Sequence, residues 1–345
     1  MISELTFNVI KVFSLAAITS VLAILWCPIL THFLYKQKMW KTSARKKAIS
    51  GEDAIVFNSL HKEKEVGTPR MGGLLIWITV TVVIFASTFL WKFNFLSRSQ
   101  TWLPLFTLIV ASIVGLADDF LTVRGWGKYI GGGISFRKRF LMVVIIGLIG
   151  GIWFYQKLGW NLIYIPFVGD VSIGLWYIPL FILVMVATWS GGIIDGLDGL
   201  AGGTFASIFG AFTIISFSLG QIDLAAFCAV ITGALFAFLW FNIPPARFYM
   251  GETGILGLTT VLAVVAFLTD SVYVLPIIAG LLVVEVLSVI IQLLSKKIRK
   301  KKIFLSTPIH HHFEAEGWPS YKVTMRAWII GIVLAFMGVA IRLLR

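Results

Sequence analysis

An all-α integral membrane protein with about ten transmembrane helices is the fold class this sequence predicts, and three observations carry it. The chain is 58% hydrophobic and only 13% charged, with a mean hydropathy of +0.93. Soluble domains are roughly half apolar and about a quarter charged. Apolar stretches recur along the 345 residues, most of them near the ~20 residues that a helix needs to cross a bilayer. Of the 29 Lys and Arg residues, 23 fall in alternate loops between those stretches, a bias that marks cytoplasmic loops.

The stretches are taken in order. The first, about 8–34, is too long for the apolar part of a signal peptide and lacks a clear cleavage site, so it reads as a true span. Residues 72–92 form the second. The third, 103–117, is the shortest, with room to start earlier or to run into the next loop. Spans at 140–156 and 173–190 flank the segment "IYIPFVGDVSIGLWYIP" (163–179). Three more follow closely at 199–219, 224–243 and 253–269. The ninth, 272–295, carries Glu285 in its middle, and 327–343 is the last. No repeat or low-complexity linker divides the chain, so residues 1–345 read as a single domain. Cys27 and Cys228 lie inside apolar runs and read as small hydrophobes.

An even number of spans puts both termini on one side. The basic loops 35–71, 118–139 and 296–326 are expected in the cytoplasm. Residues 93–102, 157–172 and both termini are expected to face outward. The net charge of +13 is then mainly a topology signal, with attraction to anionic membrane lipids as its simplest consequence. Charge divided among loops between spans does not suit nucleic acid. Trp126, Trp160, Trp176 and Trp318 lie near the predicted interfaces and read as an aromatic belt.

The acidic residues sort onto the basic side. Asp118 and Asp119 ("GLADDF"), Asp195 and Asp198 ("IIDGLDGLAGG") and Glu252 ("FYMGETG") all fall where a helix meets a cytoplasmic loop. Carboxylates at a membrane boundary are costly unless paired or bound to a metal. Several of them beside many Lys and Arg suit a hard divalent cation and a phosphorylated substrate. Simpler roles exist for each. Asp118 reads equally as a helix cap, Glu252 as a favourable charge at a helix N-terminus, and the glycines around Asp195 as close-packing positions. The spacing of Asp195 and Asp198 predicts one helical face for both. Glu285 reads as a protonated or hydrogen-bonded packing residue. The run His310-His311-His312 raises a metal site, since imidazole is a common ligand, but adjacent side chains diverge and three neighbours rarely bind one ion.

Six segments resemble a known family: "GTPRMGG" (67–73), "GLADDF" (115–120), "GISFRKRF" (133–140), "DGLDGLAGG" (195–203), "FLWFNIPPARFYMGETG" (238–254) and "PIHHHFEAEGW" (308–318). They look like those of the bacterial phospho-N-acetylmuramoyl-pentapeptide transferases, a branch of the polyprenyl-phosphate N-acetylhexosamine-1-phosphate transferases. The resemblance spans nearly the whole chain, and "PIHHHFE" is its most branch-specific part. It implies an active site at the cytoplasmic face, a short outward hairpin between the fourth and fifth spans, and a homodimer. The implied reaction uses Mg²⁺: undecaprenyl phosphate attacks UDP-MurNAc-pentapeptide, UMP leaves, and lipid I stays in the membrane. The implied roles follow the matched positions. Glu252 is the metal ligand. Asp118 and Asp119 position or deprotonate the lipid phosphate. Asp195 and Asp198 hold the nucleotide end and the metal surroundings. Asn242 orients substrate, Arg139 and Gly192 lie in its binding site, and His310, His311 and His312 contact sugar and phosphate.

The sequence departs from that family's pattern at several of these positions. Glu252 replaces Asp, Gly192 replaces Asn, Thr122 and Arg139 stand where Lys is usual, Arg70 replaces Thr, and Glu65 stands where Lys is frequent. Two other readings stay open at this point. One is a related transferase using UDP-GlcNAc, against which "PIHHHFE" speaks. The other is a non-catalytic paralogue that binds polyprenyl phosphate, or a transporter, although a transporter places ionisable groups near the midplane.

Overall fold

The computed structural model describes residues 3–41, 66–126 and 133–345. Glu65 and the middle of the first basic loop therefore lie outside the described residues. Helix α1 (Glu4–Lys36) is followed by α2 (Gly73–Ser87), α3 (Trp102–Val123) and α4 (Phe136–Lys157). A hairpin of β1 (Leu162–Ile165) and β2 (Gly169–Ser172) leads to α5 (Tyr177–Ser190). Then come α6 (Leu200–Ser218), α7 (Ile222–Asn242) and α8 (Gly251–Leu268). A single helical turn (Leu275–Ile278) precedes α9 (Gly280–Arg299), α10 (Ile309–Ala315) and α11 (Ser320–Leu343).

Among the described residues, eight helices are long and apolar enough to cross a membrane. Two expected spans depart from their predicted form. The stretch 72–92 yields only the 15-residue α2, because the chain turns at 88–93. The stretch 272–295 is broken at Ala279, whose ψ of 26° leaves the helical range, and α9 then runs on through Lys296, Lys297 and Arg299. Basic residues in a last turn suit the helix dipole, so the helix outlasts its apolar run. The third stretch likewise extends beyond its apolar limit to Val123, carrying Asp118 and Asp119 inside α3.

Helix α8 is the centre of the molecule. "GETGILGLTTVLAVVAFL" is apolar on every side, the pattern of a helix surrounded by others, and every residue but Glu252 is buried. Its hydroxyls are absorbed internally: Thr259 and Thr260 donate to the carbonyls of Ile255 and Leu256 at 2.7 and 2.6 Å. Helix α3 packs along it through Gly115, where a Cβ would strike the Glu252 backbone. The outer helices differ sharply. In α1, α4 and α11 only 28% of the most apolar window is buried, against 94% in α8. Their outward faces carry Phe13, Ile29, Ile149, Ile329 and Phe336, an apolar surface suited to lipid.

The expected hairpin between α4 and α5 is present. It pairs antiparallel from Leu162↔Ser172 to Ile165↔Gly169, so among the described residues the fold is helical apart from this small ribbon. Cys27 and Cys228 are both buried and unbridged. The four tryptophans divide. Trp126 and Trp176 are exposed, whereas Trp160 packs edge-on against Phe154 and Trp318 stacks on Phe313 at 5.0 Å.

Candidate active site

The site is assembled where the end of α3 meets the starts of α4 and α8. The segment before α2 is laced to the segment before α8 by backbone hydrogen bonds. Tyr249 donates to Pro69, Gly72 donates to Tyr249 and Gly73 to Met250, at 2.8 to 2.9 Å. This lacing brings Arg70 over the carboxylates of α3. At Gly251, φ is +70°, a left-handed conformation that favours glycine. A Cβ there would also collide with Asp119. The glycine thus lets α8 begin directly against the acidic pair.

Asp118 and Asp119, adjacent in sequence, have different partners. Asp119 is fully buried. Its Oδ1 accepts from Arg70 Nε at 3.1 Å, and its Oδ2 accepts from the Thr253 backbone and hydroxyl at 2.9 and 2.7 Å. Asp118 lies inside α3 and caps neither of its ends, contrary to its reading as a helix cap. Its Oδ1 instead accepts from Ile134 N at 2.5 Å, tying down the start of the next helix, and Oδ2 faces Arg139 Nη1 at 3.5 Å. The same Arg139 nitrogen is paired with Glu252. Arg139 therefore bridges Asp118 and Glu252, and the Arg139–Glu252 pair joins two of the positions at which the sequence departs from the family pattern.

Asp195 and Asp198 do not share a helical face. Residues 191–194 form a tight 3-10 turn, and Gly199, at φ +78°, sets the start of α6. The two carboxylates therefore sit on a turn and reach different partners. Asp195 Oδ2 accepts from Gly251 N at 3.1 Å, and Asp198 Oδ2 accepts from Ala246 N at 3.3 Å. Asn242 is a strut beneath this turn: its buried amide accepts from Gly199 N at 2.9 Å and donates to Phe248 O at 2.8 Å. Gly192 brings no polar group. Its position faces Ile255 of α8.

The histidines lie on α10. His310 and His311 are buried and His312 is partly exposed. Each meets a carboxylate: His310 Nδ1 lies 2.9 Å from Glu285, His311 Nδ1 lies 2.8 Å from Glu314, and His312 Nε2 lies 3.4 Å from Glu316. His310 reaches the Asp195–Gly199 turn, since a Cβ on Gly196 would overlap its Nε2. The loop that α10 closes is thereby brought to the acidic turn, joining two segments more than a hundred residues apart.

Charge in the site is opposed and shared. Burial raises the pKa of Asp195 to about 6, against the pull of Arg70 and the Gly251 N–H. Burial works against the charge on Arg70, but Asp119, Asp195 and Glu252 outweigh it and hold the guanidinium firmly ionised. Burial and the nearby Asp198 push the Tyr249 hydroxyl up to about 12. Asp195 carries a testable consequence. Its folded-state pKa lies above its ordinary 3.8, so the folded protein holds that proton more tightly and loses stability as pH rises from about 4 to about 6. Asp195→Asn removes this dependence. The melting temperature of the variant relative to wild type is therefore expected to be higher at pH 7 than at pH 4.5. A difference that does not change with pH contradicts the assignment.

Among the described residues, no three His, Cys, Asp or Glu side chains converge as a ready metal cage. The donor set still fits a hard cation in chemistry. Asp118 and Glu252 offer carboxylate oxygens, and both already turn toward one positive group, Arg139.

Residues 101–270 match the family described as Glycosyl transferase family 4. Phospho-N-acetylmuramoyl-pentapeptide-transferase of Geobacillus sp. (strain WCH70) is 36% identical over 81% of this chain and 85% of the relative. The protein of the same name from Chloroflexus aurantiacus is 38% identical over 81% of this chain and 78% of its own. This chain belongs to the phospho-N-acetylmuramoyl-pentapeptide-transferase family. The relative from Pelagibacter ubique, 35% identical over 83% of this chain and 82% of its own, carries that name too. Family membership gives the acidic cluster its context. Reading the sequence missed Thr253, Glu285 and Glu314 as partners of site residues. Thr253, in "MGETG", and Glu314, in "PIHHHFE", stood inside motifs that could have signalled them, whereas Glu285 lies in an apolar run outside any motif.

Proposed function

We propose that the chain transfers phospho-MurNAc-pentapeptide from UDP-MurNAc-pentapeptide to undecaprenyl phosphate, releasing UMP and leaving lipid I in the bacterial cytoplasmic membrane. The observation that carries this reading is the convergence of Asp118, Asp119, Asp195 and Glu252 with Arg70 and Arg139 where several helices begin or end. A lipid phosphate and a soluble sugar nucleotide meet only at a membrane surface. Carboxylates and guanidinium groups held together there can take both a cation and phosphate oxygens.

An oxygen of the lipid phosphate attacks the sugar-bound phosphorus. A new P–O–P bridge forms as the bridging bond to UMP breaks, and UMP carries away that electron pair. Asp118 is the group that orients the attacking phosphate and takes its proton, because among the described residues Oδ2 meets only the 3.5 Å contact with Arg139. Asp119 has both oxygens engaged and acts by fixing Arg70. Arg70 and Arg139 bind phosphate oxygens. Asn242 supports the turn that presents Asp195 and Asp198 to the nucleotide end, and the α10 histidines contact sugar and phosphate. Mg²⁺, held by Glu252, would neutralise the diphosphate and the departing UMP.

Ten spans, outward termini and a cytoplasmic site belong to the same reading, supported by the bias of basic residues. So does a homodimer. The test is UMP release from purified protein given undecaprenyl phosphate, Mg²⁺ and either UDP-MurNAc-pentapeptide or UDP-GlcNAc. Release with the muramoyl substrate alone is expected. Release only with UDP-GlcNAc would favour the related transferase, and none with either would favour a non-catalytic paralogue.

A further inference from the structure

Helix α9 is amphipathic in an inverted sense. Its apolar residues Leu287, Ile291, Leu294 and Ile298 are exposed, while Glu285, Ser288, Gln292 and Ser295 form a buried polar stripe at helical spacing. That stripe clasps the segment leading to the histidines. Ser295 donates to Lys301 O at 2.9 Å. Gln292 donates to Phe304 O at 2.9 Å and accepts from Ile303 N and Phe304 N at 2.9 and 3.0 Å. Glu285 is the N-terminal member of the stripe, and its partner is His310 Nδ1 at 2.9 Å.

His310 is only 2% exposed, and its Nε2 has no hydrogen-bond partner among the described residues. Leaving a buried nitrogen unpartnered is costly, because its lost hydration is not replaced, so such a group points to a partner supplied from outside. Nε2 is directed at Gly196, between Asp195 and Asp198, where the missing side chain leaves it room. A carboxylate at Nδ1 makes that nitrogen the proton carrier and fixes the ring plane.

We propose that Glu285 is a positioning residue: it holds His310 with the proton on Nδ1, so that Nε2 is presented across the Asp195–Gly199 turn to a phosphate or hydroxyl group of the sugar nucleotide. This rests on the transferase reading above. Glu285 touches no substrate itself and acts through the ring. The bland reading of Glu285 as a packing residue accounts for its burial. It does not account for the direction of the ring or for the unpartnered nitrogen.

Two measurements test this. The first is a long-range ¹H–¹⁵N spectrum of the ¹⁵N-histidine-labelled full chain, with His310→Asn assigning the signal. Nδ1 is expected to be protonated in wild type, and the proton to shift toward Nε2 in Glu285→Leu. An unprotonated Nδ1 in wild type, or a spectrum unchanged by Glu285→Leu, overturns the proposal. This readout needs no turnover, so an inactive wild type would count against the transferase reading and not against Glu285. The second is a double-mutant cycle on UMP release. Glu285→Leu is expected to lower kcat about 10–100-fold, the scale known for partners that orient metal-bound imidazoles. In the His310→Asn background it should cost nothing further. An equal loss in both backgrounds would make Glu285 a structural residue.

Discussion

Asp118→Asn loses at least ~100-fold in turnover while the protein keeps its melting temperature, and Asp119→Asn loses as much turnover and melts lower. The scale for turnover is that of a lost catalytic group. The two variants differ because their partners differ. At Asp118 the amide keeps an oxygen for Ile134 N, so the tether to the next helix survives. What is lost is the charge facing Arg139 and the capacity to take a proton. At Asp119 the amide must place an NH₂ group against Arg70 or against the two donors of Thr253. Breaking one side of a buried ion pair costs about 3–5 kcal/mol, and Asp119 is fully buried. The measurement is UMP release beside thermal unfolding for both variants. Wild-type turnover in either variant would remove that aspartate from the chemistry. Asp118→Asn melting well below wild type would make Asp118 chiefly a tether. Undiminished release in EDTA would remove the divalent cation.

The helices were readable from the sequence because the apolar runs that lipid requires are long and uninterrupted. Their ends were less readable, because charge ended a run without ending the helix. Asp118 and Asp119 closed the apolar count at 117, yet α3 continues to Val123, since Arg70 and Arg139 neutralise the acids from elsewhere in the chain. The acidic positions themselves stood out in the sequence as carboxylates at helix–loop junctions. Their pairing did not. Glu252 with Arg139, Asp119 with Arg70 and His310 with Glu285 are separated by 113, 49 and 25 residues, and helical or strand periodicity carries no information at such range. The turn at 195–199 was misjudged for a local reason. A spacing of three suggested a helix face, but Gly196 and Gly199 flank the second aspartate's turn, and Gly199 takes a left-handed conformation.

Glu252→Gln is expected to abolish turnover, whereas Glu252→Asp keeps measurable activity. The structure places Glu252 in the first turn of α8, paired with Arg139, which also faces Asp118. Gln keeps the shape and removes the charge. Asp118 still faces the guanidinium, and a hard cation held there would lose an ionised oxygen donor. In such a site charge contributes more than the length of the stem. Asp keeps the charge on a side chain one methylene shorter, and the reach it loses falls on the Arg139 contact. Arginine offers several donors in a planar fork and is reoriented more readily than its partner is replaced, so part of the contact survives. A divalent ion that retains several waters tolerates a similar adjustment. The measurement is UMP release as a function of Mg²⁺ concentration. Glu252→Asp should reach its maximum at a higher Mg²⁺ concentration than wild type, and Glu252→Gln should show no rise at any concentration. Wild-type turnover in Glu252→Gln would move the metal to Asp195 or Asp198. An inactive wild type made active by Glu252→Asp would mean that Glu252 and Arg139 hold each other in a closed pair, and that the chain is a non-catalytic member of its family.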